Sequence, residues 1–482
     1  MAKVRMHDIV VLLPGITGSV LQKDGKDIWA ISGQAIWKAL TSLGSSLSQL
    51  MLGDEDPEID DVGDGIKASR LMPDAHLVPG LVKIDGYSAL SHLITGHFEV
   101  IRGSADNVRP ANFFEFPYDW RRDNQVAARL LKQFIAHRLP LWRTYSGAAD
   151  AKVILLAHSM GGLVAHYYLE VLEGWRDCRA LITFGTPYRG SANALNYLAN
   201  GYKKLFLDLT EVMRSFSSIY QLLPVYKLVQ VAGEYRRVSE TNGIPGMLRE
   251  RAQKALLFHR TIENAITDHK NIAQYREKGY KIIPMVGTQQ PTLQSAQLSN
   301  GQLIMSRQLP AGIDALLGDG DGTVPYLSAI PIELSHEYRE SFIAERHGSL
   351  QNNRHVLNDV RNRLQQMQIQ GLEAIRGAEI SREAAGRAAI SVDLDDLYLA
   401  DEPVQLCAQL MNMRVHPRAL IARIEPIAAA GSTIEAEFRE VDDRWVLTAD
   451  ALPPGLFRVE VRTRESGPQA PFPVHDLLEV VR

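Results

Sequence analysis

Short, nearly continuous apolar runs recur along the first three quarters of the chain, at residues 9–13, 153–157, 180–184 and 282–286. Runs of this length without polar alternation suit strands buried on both faces of a parallel sheet. The period changes after Ser159. Leu163, Val164, Tyr167, Tyr168, Val171 and Leu172 repeat at three- and four-residue spacing, and Gly174 supplies a stop. The pattern predicts strand, turn and helix in order around Ser159, and helices covering a parallel sheet. Two long stretches, near 31–110 and 192–278, break the strand rhythm. Ile36, Leu40, Leu43, Leu47 and Leu50 form a helical stripe in the first, and Leu205, Leu209, Val212, Phe216, Ile219 and Leu223 form one in the second. Both stretches read as insertions that build a helical cap over the open end of the sheet. Most of these stripes are expected to pack on the sheet's edge loops. The sharper expectation is that Leu47, Leu50, Met51 and Leu52 form a wall that touches lipid.

Past residue 368 the pattern changes again. Residues 369–388 are polar and alanine-rich and read as a linker. From there to residue 482 short alternating segments dominate, near 392–394, 404–406, 421–424, 434–438, 457–461 and 477–481. Pro-Pro-Gly at 453–455 and Gly-Pro at 467–468 supply turns. This pattern predicts a β-sandwich of immunoglobulin-like type over 389–482. A chain of 482 residues also exceeds the usual domain of about 100–200, so two or three units are expected.

Composition narrows the function classes. Apolar residues make up 45% and charged residues 22%, which excludes an intrinsically disordered chain. A net charge of −4 gives no electrostatic reason for a nucleic-acid partner. Two cysteines, Cys178 and Cys407, cannot make a disulfide framework. No Cys and His cluster has metal-ligand spacing, and the chemistry read below implies no metal or organic cofactor. The apolar run before Pro14 is too short for a signal peptide's core, and nothing approaches the ~20 apolar residues of a membrane-spanning helix. The expected location is therefore the cytoplasm, with export by a route that reads no N-terminal signal left open.

The strongest chemical signal is Val153-Ile-Leu-Leu-Ala-His-Ser159-Met-Gly-Gly162. It has the form of the nucleophile elbow G-x-S-x-G, with Ala157 at the first small position. Space explains the pattern: a serine on a tight, strained turn needs small neighbours two residues to either side. The turn exposes the Ser159 hydroxyl and aims the Met160 amide at a developing oxyanion. A second donor should come from Pro14-Gly-Ile-Thr-Gly-Ser19, whose glycines let the backbone approach a ligand closely. The candidate amides are those of Thr17 and Met160. The acid should follow a late strand, and Gly318-Asp-Gly-Asp-Gly-Thr-Val-Pro325 offers Asp321, with Asp319 as runner-up. A calcium loop is the rival reading there, but no glutamate follows at its twelfth position. The base should sit after the last strand, near 342–344, and His347 fits. His355 falls on the following helix. His158 flanks the nucleophile and is expected to pack away from it. The order Ser159, Asp321, His347 is that of α/β-hydrolases.

With these motifs in order, the chain resembles lecithin:cholesterol acyltransferase and its lipase and phospholipase relatives. The segments that carry the resemblance are 11–19, Phe116-Pro-Tyr-Asp-Trp-Arg121, 157–162, Phe184-Gly-Thr-Pro-Tyr-Arg-Gly-Ser191 and Asp319-Gly-Asp-Gly-Thr-Val-Pro325. It spans about residues 7–365. It implies an α/β-hydrolase fold with helical cap insertions over 1–368, Ser159 as nucleophile, Asp321 and His347 completing a triad, and Thr17 and Met160 forming the oxyanion hole. In the 116–121 segment, Asp119 and Arg121 are expected to brace loops near the site. Ala157 departs from the usual glycine. The disulfides of the secreted animal members are absent, and the C-terminal sandwich lies outside the likeness.

The expected function is cleavage or transfer of acyl esters, with glycerolipids or phospholipids as the substrate class and peripheral contact with a membrane. Two alternatives stay open. One is a carboxylesterase of small soluble esters. The other is the hydrolase module of a regulated or toxin-like system, whose sandwich docks a protein partner.

Overall fold

Strands buried on both faces set the layout. The computed structural model describes residues 3–481 apart from 30–48, 54, 73–75, 79–81, 105–108, 205–206, 335–340, 344, 370–387, 414–415, 428–431, 443, 466 and 468–469. Six strands form one parallel sheet: β1 (Ile9–Leu13), β2 (Phe113–Glu115), β3 (Val153–His158), β4 (Cys178–Phe184), β5 (Lys281–Gly287) and β6 (Ser341–Ile343). Their spatial order is β6-β5-β4-β3-β1-β2. Every residue of β1 and β3 is buried. Alternation along the strands sorts them into two cores. Ile9, Val11, Leu13, Leu155 and Ala157 point one way, while Val10, Leu12, Ile154 and Leu156 point the other.

Five helices cover these cores: α1 (Ser88–His97), α2 (Asn124–Ser146), α3 (Met160–Glu170), α4 (Arg249–His269) and α5 (Arg354–Ile369). Helices α2, α3 and α4 pack on the first face, and α1 and α5 on the second. Helix α2 starts where the Asp123 carboxylate accepts from Gln125 N (2.8 Å) and stops at left-handed Gly147. The chain leaves β1 toward β2 and then crosses back to β3. The loops after β1 and β3 therefore diverge at the carboxyl ends of adjacent strands, the place where open α/β sheets hold ligands.

The two insertions depart from an all-helical cap. In the first, strands Ile66–Leu71, His76–Val78 and Val82–Ile84 precede α1. The expected helix over 36–47 lies outside the described residues, apart from which Leu50 and Leu52 are buried in the main core and Met51 is 47% exposed. Leu50 and Leu52 are thus core residues rather than a lipid-facing wall. The second insertion holds the short helices Ala192–Asn200, Thr210–Ser215 and Ser217–Gln221 and helix α4. Its stripe is interrupted at Phe216, which is extended and sets its ring against Trp120 (5.6 Å). Strands Val229–Val231 and Glu234–Arg236 follow, because Ala232 and Gly233 both take positive φ and turn the chain as a hairpin.

The last part of the chain forms β7 (Ala389–Leu394), β8 (Leu397–Leu399), β9 (Val404–Met411), β10 (Leu420–Pro426), β11 (Ile434–Glu437), β12 (Arg439–Val441), β13 (Arg444–Ala449), β14 (Gly455–Thr463) and β15 (Val474–Val481). They make two sheets, β7-β9-β13-β12 and β8-β15-β14-β10-β11, around one shared core. The segment 370–387, most of the expected linker, lies outside the described residues. No helix among the described residues is long and apolar enough to cross a membrane.

Directed polar contacts join this sandwich to the parallel sheet. Glu345, fully buried, accepts from His475 N (2.9 Å) and pairs with His475 Nδ1 (2.9 Å). Arg346 pairs with Asp476 (3.1 Å) and donates to Val392 O (3.0 Å). Gln290 donates to Ile390 O (3.0 Å) and accepts from Val392 N (3.1 Å). Arg458 pairs with Asp85.

His475 gives this joint a pH dependence. Burial alone would pull its pKa down, but the bonds to Glu345 and Glu460 push it up to about 10. A folded-state pKa above the ordinary value of about 6.5 adds stability that is complete below that value and is lost as pH rises through about 10. Thermal unfolding of wild type and His475→Gln should therefore differ most near about pH 6, with the gap closing by about pH 10.5. A gap that stays constant across this range would refute the coupling.

Candidate active site

Ser159 has a strained backbone. It sits between β3 and α3 at φ 50° and ψ −124°, a conformation that costs a residue with a side chain of order 1–3 kcal/mol. Its surroundings leave no easier alternative. Ser159 N donates to Phe184 O (2.9 Å), and Ser159 O accepts from Gly162 N (3.0 Å) and from Thr186 Oγ1 (3.0 Å). A side chain at Gly162 would run into that same Thr186, so the helix can start this close to the neighbouring loop only with glycine there.

The structure brings Ser159, His347 and Asp321 into one hydrogen-bonded row. His347 Nε2 lies 2.9 Å from Ser159 Oγ, and Nδ1 lies 2.8 Å from Asp321 Oδ2. The other carboxylate oxygen, Asp321 Oδ1, accepts from Thr323 N (2.9 Å) and Val324 N (2.7 Å). Asp321 is 1% exposed, and its carbonyl accepts from His347 N (2.9 Å). Asp319 sits two residues earlier at φ 61°, exposed, and the partial desolvation of its carboxyl raises its pKa. His355 instead sets its ring against Phe472, tilted by 33° with ring centres 3.8 Å apart.

Thr17 and Met160 are both buried, Thr17 at φ 62° in the loop after β1 and Met160 at the N-terminus of α3. Among the described residues neither amide has a backbone acceptor. The Pro-Tyr-Asp-Trp-Arg segment braces this loop: Tyr118 OH donates to Pro14 O (2.9 Å) and Trp120 Nε1 to Ser19 O (3.0 Å). Arg121, fully buried, pairs with Asp119 (2.6 Å) and Asp64 (2.8 Å).

Several contributors carry no signal of their own in the sequence. Gly15 N donates to Tyr87 OH (2.8 Å), Tyr87 OH meets His158 Nδ1 (3.0 Å), and His158 Nε2 meets His347 O (3.3 Å). Burial pushes the His158 pKa down to about 3, so its ring is neutral and accepts from Tyr87 while donating to His347 O. His158 thus turns its ring nitrogens to Tyr87 and His347 O, lines the cavity beside Ser159, and links the loop after β1 to the loop that carries His347. Gln290 N donates to Gly320 O (2.9 Å), which ties the Asp321 turn to the residue that holds β7.

A cavity of about 60 Å³ opens at Ser159 and His347, with Ile16, Ala194, Ile219 and Leu222 on its walls. Away from it, His166, Glu170 and Glu333 place ligand atoms within 4.8 Å of one another and could hold a metal ion. Their own bonds already form a network: His166 Nε2 pairs with Glu333 (2.8 Å), and Glu170 accepts from Tyr275 and Tyr280 (2.7 Å each) and pairs with His269 (2.8 Å).

Residues 82–309 match the family described as lecithin:cholesterol acyltransferase. The matched stretch contains Ser159 and ends before Asp321 and His347. Among solved structures, the chain is similar to the Bacillus licheniformis lipase BlEst2. Its mature form is 12% identical, with a TM-score of 0.29, over 74% of this chain and 91% of that one. Its propeptide form is 12% identical, with a TM-score of 0.31, over 98% and 93%. No curated protein matches the chain.

Gly185 offers a direct test of the packing under the row. It has φ 57°, and a Cβ there would lie 2.9 Å from both Asp321 Oδ2 and His347 Nδ1. Gly185→Ala should lower stability to chemical denaturation by about 1–3 kcal/mol and part the two side chains. The downfield proton resonance of the His347 Nδ1–H···Asp321 bond should then shift or vanish. An unmoved resonance at unchanged stability would show that the loop does not support the pair.

Proposed function

We propose that the protein is a serine hydrolase of α/β-hydrolase type that cleaves or transfers acyl esters, with glycerolipids or phospholipids as its substrates. The observation that carries this reading is the row Ser159 Oγ–His347–Asp321 on a strained turn beside an apolar cavity. The match to the acyltransferase family supports the same chemistry. In this proposal residues 1–368 are the catalytic domain, 369–388 a linker and 389–482 an immunoglobulin-like sandwich.

In this reading each residue of the row has its own step. Asp321 accepts a hydrogen bond from Nδ1–H of His347, which leaves Nε2 unprotonated and able to take the Ser159 proton as Oγ attacks the ester carbonyl. The amides of Thr17 and Met160 receive the developing oxyanion. Collapse of the tetrahedral species expels the alcohol, protonated by His347 Nε2, and leaves an acyl-enzyme. Water, or a second alcohol, then repeats the sequence in reverse. The small volume at Ser159, about 60 Å³, favours a second reading as a carboxylesterase of short soluble esters. Turnover that jumps when a substrate passes from monomer to micelle separates the lipase from it.

Ser159→Ala and His347→Ala should each lower hydrolysis of an acyl ester by roughly 10³-fold or more, because such residues act as a unit. Circular dichroism should show both variants folded. Near wild-type turnover in either would overturn the assignment.

The two aspartates of the 318–325 turn should separate in the same assay. Asp321→Asn should cost far more than Asp319→Asn, since only the former reverses the hydrogen bond that sets the His347 tautomer. Equal small losses, or the opposite order, would exclude Asp321 as the acid.

A further inference from the structure

Two tyrosine hydroxyls grip one peptide unit of the loop after β1. The carbonyl of Pro14 accepts from Tyr118 OH (2.9 Å), and the amide of Gly15, on the other side of the same peptide plane, donates to Tyr87 OH (2.8 Å). The peptide is also pressed against the nucleophile's own turn. A Cβ on Gly15 would lie 2.9 Å from Ser159 Cβ, and one on Gly161 would lie 2.4 Å from Pro14 O. The turn that begins here closes where Gly18 N donates to Gly15 O (3.0 Å), and Thr17 O accepts from Trp29 Nε1 (3.1 Å).

The direction of the Tyr87 bond is set from its far end. The carbonyl of His347 can only accept, so it takes Nε2–H of His158 (3.3 Å), and the neutral ring is left with a bare Nδ1. That nitrogen uses the one proton of Tyr87 OH (3.0 Å). The Tyr87 oxygen then offers Gly15 only lone pairs, and a flipped peptide would set a carbonyl against them. The three bonds run one way, from Gly15 to His347, and each polarises the next. Tyr87 is 1% exposed, and burial raises its pKa and keeps the hydroxyl protonated. The two residues before it are fastened to the loop of His347: Asp85 N donates to Gly348 O (2.9 Å), and Gly86 O accepts from Gln351 Nε2 (3.2 Å).

We propose that Tyr87 is a positioning residue for the oxyanion hole: its hydroxyl keeps the Pro14–Gly15 peptide from flipping and so holds the turn 15–18 ready for the oxyanion before substrate arrives. This rests on the serine-hydrolase reading, in which that turn supplies one oxyanion donor. A donor held in place stabilises the transition state because nothing has to reorient at the moment of reaction. A loosened turn must be reoriented in every turnover, and that cost falls on kcat. Binding of the ground state depends instead on the apolar cavity, among Ile219 and Leu222.

The test compares wild type with Tyr87→Phe, each as the full chain, on a p-nitrophenyl ester and two ketones of matched chain length. Ser159 Oγ adds to the carbonyl carbon of a trifluoromethyl ketone, the carbonyl electron pair moves to oxygen, and the hydroxyl proton goes to His347. The product presents an oxyanion, whereas the methyl ketone is not attacked and reports ground-state binding. Tyr87→Phe should lower kcat by roughly ten- to a hundredfold, short of the roughly 10²–10³ of losing a donor outright, with KM within about twofold. Its inhibition constant for the trifluoromethyl ketone should rise by the same factor, and that for the methyl ketone should stay. Inhibition constants do not depend on the fraction of folded enzyme, so partial misfolding cannot imitate the result. Equal rises for both ketones, a loss in KM alone or an unchanged kcat would overturn the proposal. If the variant does not fold, a crystal structure of wild type with the trifluoromethyl ketone decides. The ketone oxygen should accept from an amide of the turn 15–18 while Gly15 N still donates to Tyr87 OH, and a complex in which that bond is broken would overturn the proposal. Wild type that neither cleaves the ester nor binds the trifluoromethyl ketone would instead sink the hydrolase reading, an outcome distinct from these.

Discussion

A serine at φ 50° persists only where its surroundings forbid relaxation, and much of the fold serves that condition. Strand β3 enters the turn fully buried and paired on both sides, by β1 and β4. Helix α3 leaves it inside the core, so neither end of the turn can move alone. The carbonyl of Ser159 is held twice and its amide once. Close packing of this kind resists small displacements, which makes the position of one hydroxyl a property of the whole sheet.

His347 has no such strand beneath it, and a different device holds it. Its amide rests on the carbonyl of Asp321 and its carbonyl accepts from His158. The two residues before it are gripped from the sandwich, Glu345 by His475 and Arg346 by Asp476 and Val392. Charged groups this deeply buried are costly unless paired, so both pairs favour one docked arrangement over others. The site therefore has a nucleophile placed by local geometry and a base placed by contacts that are distant in sequence.

That division explains how much was legible from the residues alone. Strands β1, β3, β4 and β5 announce themselves because burial on both faces forces unbroken apolar runs. The elbow is readable because steric limits on its neighbours leave few residue types. Six of the sandwich segments alternate visibly, whereas β12 (Arg-Glu-Val) is exposed throughout and has no pattern to show. The hairpin at 229–236 lies in a stretch whose sequence is expected to build a helical cap, since local apolar spacing does not register two residues at positive φ. Tyr87, Gln290 and Glu345 gave no signal, because their roles consist of hydrogen bonds to partners that only the fold brings near.

The buttressing of Glu345 by His475 has a consequence in time. Chains are made from the N-terminus, and their domains tend to fold in that order. During synthesis β1 to β5 can assemble and Ser159 can take its turn while β15 is still untranslated. Glu345 then lacks the imidazole that neutralises it, and a buried carboxylate without its partner favours a displaced loop. A ribosome-bound chain would thus carry its nucleophile in place and its base adrift, and would become competent only at the moment the closing strand docks.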